Sequence, residues 1–337
     1  MNTFTLFDGL RISRTGFGAL PIQRIPESES TAILRAAYDG GITFFDTARV
    51  YTDSEQKISA ALCAVRHNVV IASKSTARNG DDYRSQLELS LRTLNTDYID
   101  IYQFHNTPFV PEPGGEDGLY DAALEAKAAG KIRAIGISQH SIVGAEAAVE
   151  SGLFKTLQYP FNHLATDEEV ALVNRCKALG IGFIAMKALS GGLVTDARIP
   201  FAYLQQFEGL VPIWGIQRMG ELEQILALEA CPPPIDAELS ALIEQDRSEL
   251  AGAFCRACGY CLPCPVGIPI QNANRMKQLM TRSPMQRFLS EKWQADMAKI
   301  EDCTKCGLCA KRCPYGLKPY ETLPEQLVYY RSIVDAL

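Results

Sequence analysis

The chain has 337 residues, 47% of them hydrophobic and 21% charged, which is enough apolar material for a proper core. No apolar run approaches the ~20 residues of a bilayer span, and the opening MNTFTLFDGLRISRTGFG lacks a basic segment followed by an apolar one, so neither a membrane span nor a secretory signal is expected and the cytoplasm is. Net charge is -6 but uneven: residues 1–254 carry 21 Lys/Arg against 32 Asp/Glu, residues 255–320 carry 11 against 4, and the tail one against three. An acidic larger part argues against nucleic acid as a partner.

From Thr15 onward, short apolar runs alternate with amphipathic stretches. RTGFGAL (14–20), TFFDT (43–47), VVIASK (69–74), IDIYQFH (99–105), IRAIGIS (132–138), TLQYPF (156–161), GFIAMK (182–187) and VPIWG (211–215) read as buried parallel strands. Helices are expected between them, as at 30–41, 82–94, 121–131 and 166–180, and several end in glycine. Eight βα units in this length predict an α/β fold of the (β/α)8 TIM-barrel type over residues 1–235. A doubly wound sheet is the alternative, but no GxGxxG follows the first strand. CPPPIDAEL (231–239) reads as a boundary, because three prolines cannot continue a helix. A connecting helix (236–251) then opens a small, mainly α-helical region, 236–337, that holds eight of the 11 cysteines. Cys63, Cys176 and Cys231 are scattered, and ordinary buried or half-buried positions are expected for them.

Residues at the C-terminal strand ends of such a barrel face the active site. Those positions give Asp46, Lys74 and His105, with Tyr51 in the loop after Asp46. Each alone has a structural explanation: a capping Asp, a solvated Lys, a core His. Together they form a coherent acid–base set. A phenol with a pKa near ~10 is a poor proton donor at neutral pH, a nearby ammonium stabilises its phenolate, an Asp holds that Lys charged and in place, and a His orients a carbonyl oxygen.

These segments resemble the aldo-keto reductase family. FFDTARVYTDSEQKISAAL (44–62) is similar to its Asp-to-Tyr segment, and IASK, YQFHN and GKIRAIGIS are similar to its Lys, His and mid-barrel segments. The resemblance implies Tyr51 as general acid/base, Lys74 as modifier of its acidity, Asp46 as partner of Lys74 and His105 as orienting residue. It also implies nicotinamide carboxamide contacts from Ser138 and Gln158. The cofactor implied is NADP(H), with NAD(H) as the alternative. Three departures stand out: Gln139 where the family commonly has Asn, Met186 where many members stack a Tyr on the nicotinamide, and WGIQRMGELEQIL (214–226) without the usual adenosine-phosphate set. Arg218 is the candidate for a 2′-phosphate or a solvated surface residue.

CTKCGLCAKRCP (303–314) has the ferredoxin spacing for a [4Fe–4S] cluster, and CRACGYCLPCP (255–265) repeats it with one residue fewer before the last cysteine. Disulfides belong to oxidising compartments, and zinc usually takes two separated pairs of ligands. In two-cluster ferredoxins the fourth cysteine of each run serves the other cluster. Cys255, Cys258, Cys261 and Cys313 would then hold one cluster, and Cys303, Cys306, Cys309 and Cys264 the other. Two clusters are expected, with one cluster or a zinc site as alternatives, and anionic clusters account for the local positive charge. The combination resembles the aldo-keto reductase branch that carries a C-terminal ferredoxin-type iron–sulfur domain.

The function expected is an NAD(P)H-dependent oxidoreductase of small carbonyl or alcohol substrates, with NADPH ahead of NADH. Its iron–sulfur module would serve electron transfer with a protein partner, or structure. Hydride carries two electrons and a cluster one, and no flavin signature links them. The alternative is an electron-transfer, partner-docking or redox-sensing protein in which the barrel is a scaffold.

Overall fold

The computed structural model describes residues 1–250 and 254–336. They divide into two compact units: Met1–Ala188 with Arg198–Ser240, and Leu189–Ala197 with Ala241–Leu337. The division follows Ser240 rather than residue 235, and it assigns one short segment from within the barrel sequence to the second unit.

The first unit opens with a hairpin, β1 (Thr3–Phe7) and β2 (Leu10–Ser13), which the sequence reading did not include. Its signal is Asp8-Gly9, both at positive φ (40° and 82°), a turn that matches the twist of paired strands. Then β3 (Gly16–Gly18), α1 (Glu27–Asp39), β4 (Phe44–Asp46), α2 (Ser54–Leu62), β5 (Val70–Ser75), α3 (Gly80–Leu94), β6 (Ile99–His105) and α4 (Leu119–Ala128) follow. β7 (Ile132–Ser138), α5 (Ile142–Glu150), β8 (Thr156–Pro160), α6 (Asp167–Ala178), β9 (Gly182–Met186), α7 (Arg198–Leu204), β10 (Leu210–Gly215) and α8 (Met219–Ala230) complete it. Strands β3 to β10 form a closed, parallel, eight-stranded barrel in chain order. Each apolar run singled out above forms one of these strands, to within two residues at its ends.

Strand parity explains where the site lies. Side chains two apart share a face, and the inner set at the N-terminal end of the barrel is apolar. Phe44, Val70, Ala72, Ile101, Ala134 and Ile184 pack there with Leu6 and Ile12 of the hairpin, which plugs that end. The same parity carried forward reaches Asp46, Lys74, Gln103, His105, Ser138, Gln158 and Met186. The barrel is therefore apolar at one end and polar at the other, and the polar end is the one where strands finish.

The second unit is helical. α9 (Ala237–Glu249) leads towards it, and the last residue of the expected connecting helix, Ala251, lies outside the described residues. α10 (Ile270–Ala273), α11 (Met276–Arg282), α12 (Glu291–Ala298) and α13 (Leu308–Lys311) are short, and α14 (Pro319–Val334) is the longest. α11 ends at Arg282, and its cap Ser283 is already extended ahead of Pro284, as the residue before a proline is biased to be. No described helix is long and apolar enough to cross a membrane.

Cys176 is buried, as expected. Cys63 and Cys231 are exposed, contrary to the sequence reading: each immediately follows a helix (α2 and α8), past the stripe that faces the core.

Candidate functional site

β4 and β5 bring Asp46 and Lys74 together. Lys74 Nζ donates to Asp46 Oδ1 and Oδ2 at 2.8 Å and to the Thr47 carbonyl at 2.6 Å, with both side chains buried. Three acceptors match the three N–H donors of an ammonium. Burial pulls the Lys74 pKa down and pushes the Asp46 pKa up, and the attraction between the two opposes both shifts. Glu55 adds a further negative charge that favours charged Lys74. It is buried, accepts from Ser73 Oγ at 2.6 Å and is paired with Arg49.

Tyr51 is positioned by backbone. Past the end of β4, Thr47 N donates to Ala72 O at 2.8 Å and Arg49 N to Lys74 O at 3.0 Å, so the chain still runs beside β5. Tyr51 N then donates to Ala48 O, and Ser54 N to Tyr51 O, which closes a turn at the start of α2. The ring stands edge-on to His105, centroids 5.9 Å apart at 82°, and Lys74 Nζ is 5.3 Å from its centroid.

His105 ends β6. Its pKa is pushed down to about 3 by burial first, then by the charges of Lys74 and Arg78, so the imidazole is neutral at neutral pH. Its buried Nδ1 has no hydrogen-bond partner.

Gln158, on β8, donates to Asp46 Oδ2 at 3.4 Å and accepts from Gln103 Nε2 at 2.8 Å. Gln103 was not among the residues read from the sequence. Its signal is parity: it alternates with Ile101 and His105 on the inner face of β6, and its Oε1 is buried without a partner. Ser138 pairs in register with both His105 and Gln158, and its Oγ accepts from Asn106 N at 3.2 Å. Gln139, which departs from the family's Asn, donates to Thr107 O at 3.0 Å. Met186 ends β9, half-buried, and accepts from Phe161 N through its carbonyl.

Arg218 is not drawn into this cluster. It caps α8, largely exposed, with Nε 3.6 Å from Glu221. Glu221 Oε2 accepts from Gln217 N at 2.9 Å and Arg218 N at 3.2 Å, so the start of this helix already holds a carboxylate of its own chain.

In the second unit the two cysteine segments fold alike. Ala257 and Gly259, on either side of Cys258, have φ of 50° and 84°, and Lys305 and Gly307, around Cys306, have 52° and 75°. Gly267 donates back to Cys264 O and Gly316 to Cys313 O, both glycines at positive φ. Backbone turns of this kind aim N–H groups at anions. Burial pushes the Cys261 thiol up to about 12, and Cys255, Cys258 and Cys313 add to the rise electrostatically. Cys264 lines one cavity with Cys303, Cys306 and Cys309, and Cys261, Ile268 and Leu323 line it too. None of the eight forms a disulfide within the described residues. Among the described residues, no three His, Cys, Asp or Glu side chains close around a single metal-ion position.

The sequence profile of the Aldo/keto reductase family matches residues 14–209, more than half of the chain. The chain belongs to the aldo/keto reductase family. A second profile, the 4Fe-4S dicluster domain, matches residues 254–318, so this family member carries an iron–sulfur domain behind its barrel. Aldo-keto reductase YhdN of Bacillus subtilis (strain 168) is 33% identical over 210 residues, 56% of this chain and 61% of that protein. The chain spans about three fifths of the length of the curated relatives it matches. A putative aldo-keto reductase structure from Pseudomonas aeruginosa is 26% identical, covering 68% of this chain and 94% of that one with a TM-score of 0.61. The barrel fold is shared with the aldo-keto reductase from Klebsiella pneumoniae in complex with NADPH, at 23% identity, 73% and 95% coverage and TM-score 0.63.

Proposed function

We propose that this aldo/keto reductase is a nicotinamide-dependent oxidoreductase of small carbonyl compounds, with two [4Fe–4S] clusters in its C-terminal unit. The observation that carries it is the convergence of Tyr51, Lys74, Asp46 and His105 at the polar end of the barrel. Tyr51 gives its phenolic proton to the carbonyl oxygen and recovers it in the reverse direction. Lys74, held as an ammonium by Asp46, stabilises the phenolate left behind. His105, neutral, presents a nitrogen to the substrate oxygen and fixes the carbonyl before the proton moves. A nicotinamide, when bound, would supply the hydride, and Ser138 and Gln158 are the residues that would hold its carboxamide. The test is anaerobic turnover of aldehydes and ketones with NADPH and NADH; no turnover of any carbonyl compound by iron-replete protein would sink the proposal.

NADPH is the preferred cofactor in this reading, supported by the NADPH-bound relative from Klebsiella pneumoniae, but Glu221 works against the extra phosphate. A carboxylate beside Arg218 competes for the guanidinium and repels an incoming anion. Glu221→Gln is therefore expected to tighten NADPH binding by about two- to fivefold, the scale of an exposed ion pair, with NADH unchanged. Fluorescence titration of both cofactors reads this, and equal shifts for the two would contradict it.

The eight clustered cysteines are assigned in two interleaved sets: Cys255, Cys258, Cys261 and Cys313, then Cys264, Cys303, Cys306 and Cys309. Clusters held this way store and pass single electrons, which suits a protein partner in a reducing compartment such as the cytoplasm. Cys264→Ala is expected to disturb the cluster of the later segment and Cys313→Ala that of the earlier one. Comparison with Cys306→Ala and Cys258→Ala by iron counting and electron paramagnetic resonance checks it. Cys264→Ala matching Cys258→Ala instead would mean that each run serves itself.

A further inference from the structure

Arg275 lies at the start of α11 and is only 5% exposed. A guanidinium keeps its proton at any working pH, so burying one must be answered by hydrogen bonds and by negative charge. The bonds are present: Nε donates to the Gln271 carbonyl at 3.2 Å and Nη1 to the Ser190 carbonyl at 3.4 Å. Both acceptors are neutral, and among the described residues no carboxylate forms an ion pair with Arg275. The anionic group that acts on it is Cys255. The Gln271 carbonyl that accepts from Nε also lies 3.8 Å from Cys255 Sγ. A Cβ placed on Gly191 would meet Arg275 Nη1 at 3.2 Å and Ala257 Cβ at 3.6 Å. The guanidinium is therefore packed within the second unit between the Leu189–Ala197 segment and the loop of the first cysteine run.

Among the described residues, no cation next to the second run in the chain is buried in this way. The cations beside it in the chain, Lys305, Lys311, Arg312 and Lys318, are all exposed. Water and salt screen charges of that kind, whereas a buried charge acts at much lower effective dielectric.

We infer that Arg275 is the built-in counter-ion of the iron–sulfur cluster held by Cys255, Cys258, Cys261 and Cys313, and that it raises this cluster's affinity for an electron. The inference rests on the two-cluster reading above. One-electron reduction adds one negative charge within the thiolate set. A fixed cation beside Cys255 favours that charge, and net charge and burial are among the quantities that set cluster potentials. Electrons entering the second unit should settle first on the cluster beside Arg275.

The experiment uses the full chain, purified anaerobically, with iron and sulfide counted before an electron paramagnetic resonance titration in which dithionite supplies electrons through mediators. In Arg275→Gln, iron content should stay at the wild-type level while one of the two midpoints falls by about tenfold in electron affinity, ~59 mV for a one-electron couple. The other midpoint should not move, and Arg275→Lys should keep most of the wild-type value. Arg275→Met removes the same charge with a longer side chain, and carries the test if the Gln variant loses iron. Two unchanged midpoints in an iron-replete neutral variant, or two equal shifts, would overturn the inference and leave the two-cluster reading standing. A wild-type protein with no cluster on the Cys255 set would overturn both.

Discussion

Tyr51→Phe is expected to lower kcat for carbonyl reduction by about 10²–10⁴-fold, the contribution of a positioned general acid. The substitution removes one oxygen and leaves the ring, which stands edge-on to His105, in place. The backbone bonds that close the Tyr51 turn involve no phenol. Folding, iron content and nicotinamide binding should therefore survive, and the loss should fall on kcat rather than on cofactor affinity. Steady-state kinetics beside a cofactor titration separates the two. Activity equal to wild type would take Tyr51 out of its role and favour a barrel that serves as a scaffold for a redox partner or as a redox sensor.

Lys74→Met has the larger structural cost. It strands the Asp46 carboxylate, 2% exposed, with one long contact to Gln158 in place of the ammonium. Breaking a buried pair by removing one partner typically costs about 3–5 kcal/mol, whereas replacing both by apolar groups of similar size is often neutral. The barrel unit of the single variant should be destabilised on that scale, and Lys74→Met with Asp46→Leu should recover much of the loss. Trp214, buried on β10, reports the barrel's unfolding in denaturant; Trp293 lies in the second unit, so its signal has to be separated by substituting it. The pH dependence has a definite sign. Asp46 is already raised by burial with Lys74 present, and without that cation it is raised further. A folded-state value above the unfolded one gives stability that is complete below the ordinary value of 3.8 and declines as pH rises through the raised one. The single variant should thus lose stability, relative to wild type, as pH rises from the acid side towards neutral. Equal stability of wild type and single variant would show that the pair contributes nothing there.

The parts of the barrel legible in sequence are those whose signal is local. A buried parallel strand is a short apolar run, and each of the eight was visible as one. Asp46, Lys74 and His105 stand at the ends of three such runs, where any chain of this pattern turns a polar residue towards the same rim. Carrying parity one step further would have added Gln103. The hairpin is equally local, marked by Asp8-Gly9, but its strands are short and partly exposed, so they show no continuous apolar run.

Other features depend on residues that meet only after folding. Gln158 reaches Asp46 across 112 positions of sequence, and nothing in the neighbourhood of either shows that Gln103 will hold it there. Glu55 looks like a surface residue in the first turn of a helix, yet it is buried against Ser73 and Arg49. Arg218 and Glu221 read as two ordinary helix-end charges until their geometry shows the carboxylate occupying the donors of that end. The cysteine spacing raises the question of which thiol serves which set, and only folding brings Cys261 and Cys264 to one cavity with Cys303, Cys306 and Cys309. Arg275 carries no sequence signal at all: it is one cation among many in a basic segment. Sequence by itself determined the barrel, the residues at its polar rim and the repeated cysteine runs, because periodicity and spacing act over a few residues. Burial and pairing, which decide what a charge faces and how strongly it is felt, came only from the tertiary structure, because the low dielectric around Lys74 or Arg275 is made by residues far away in the chain.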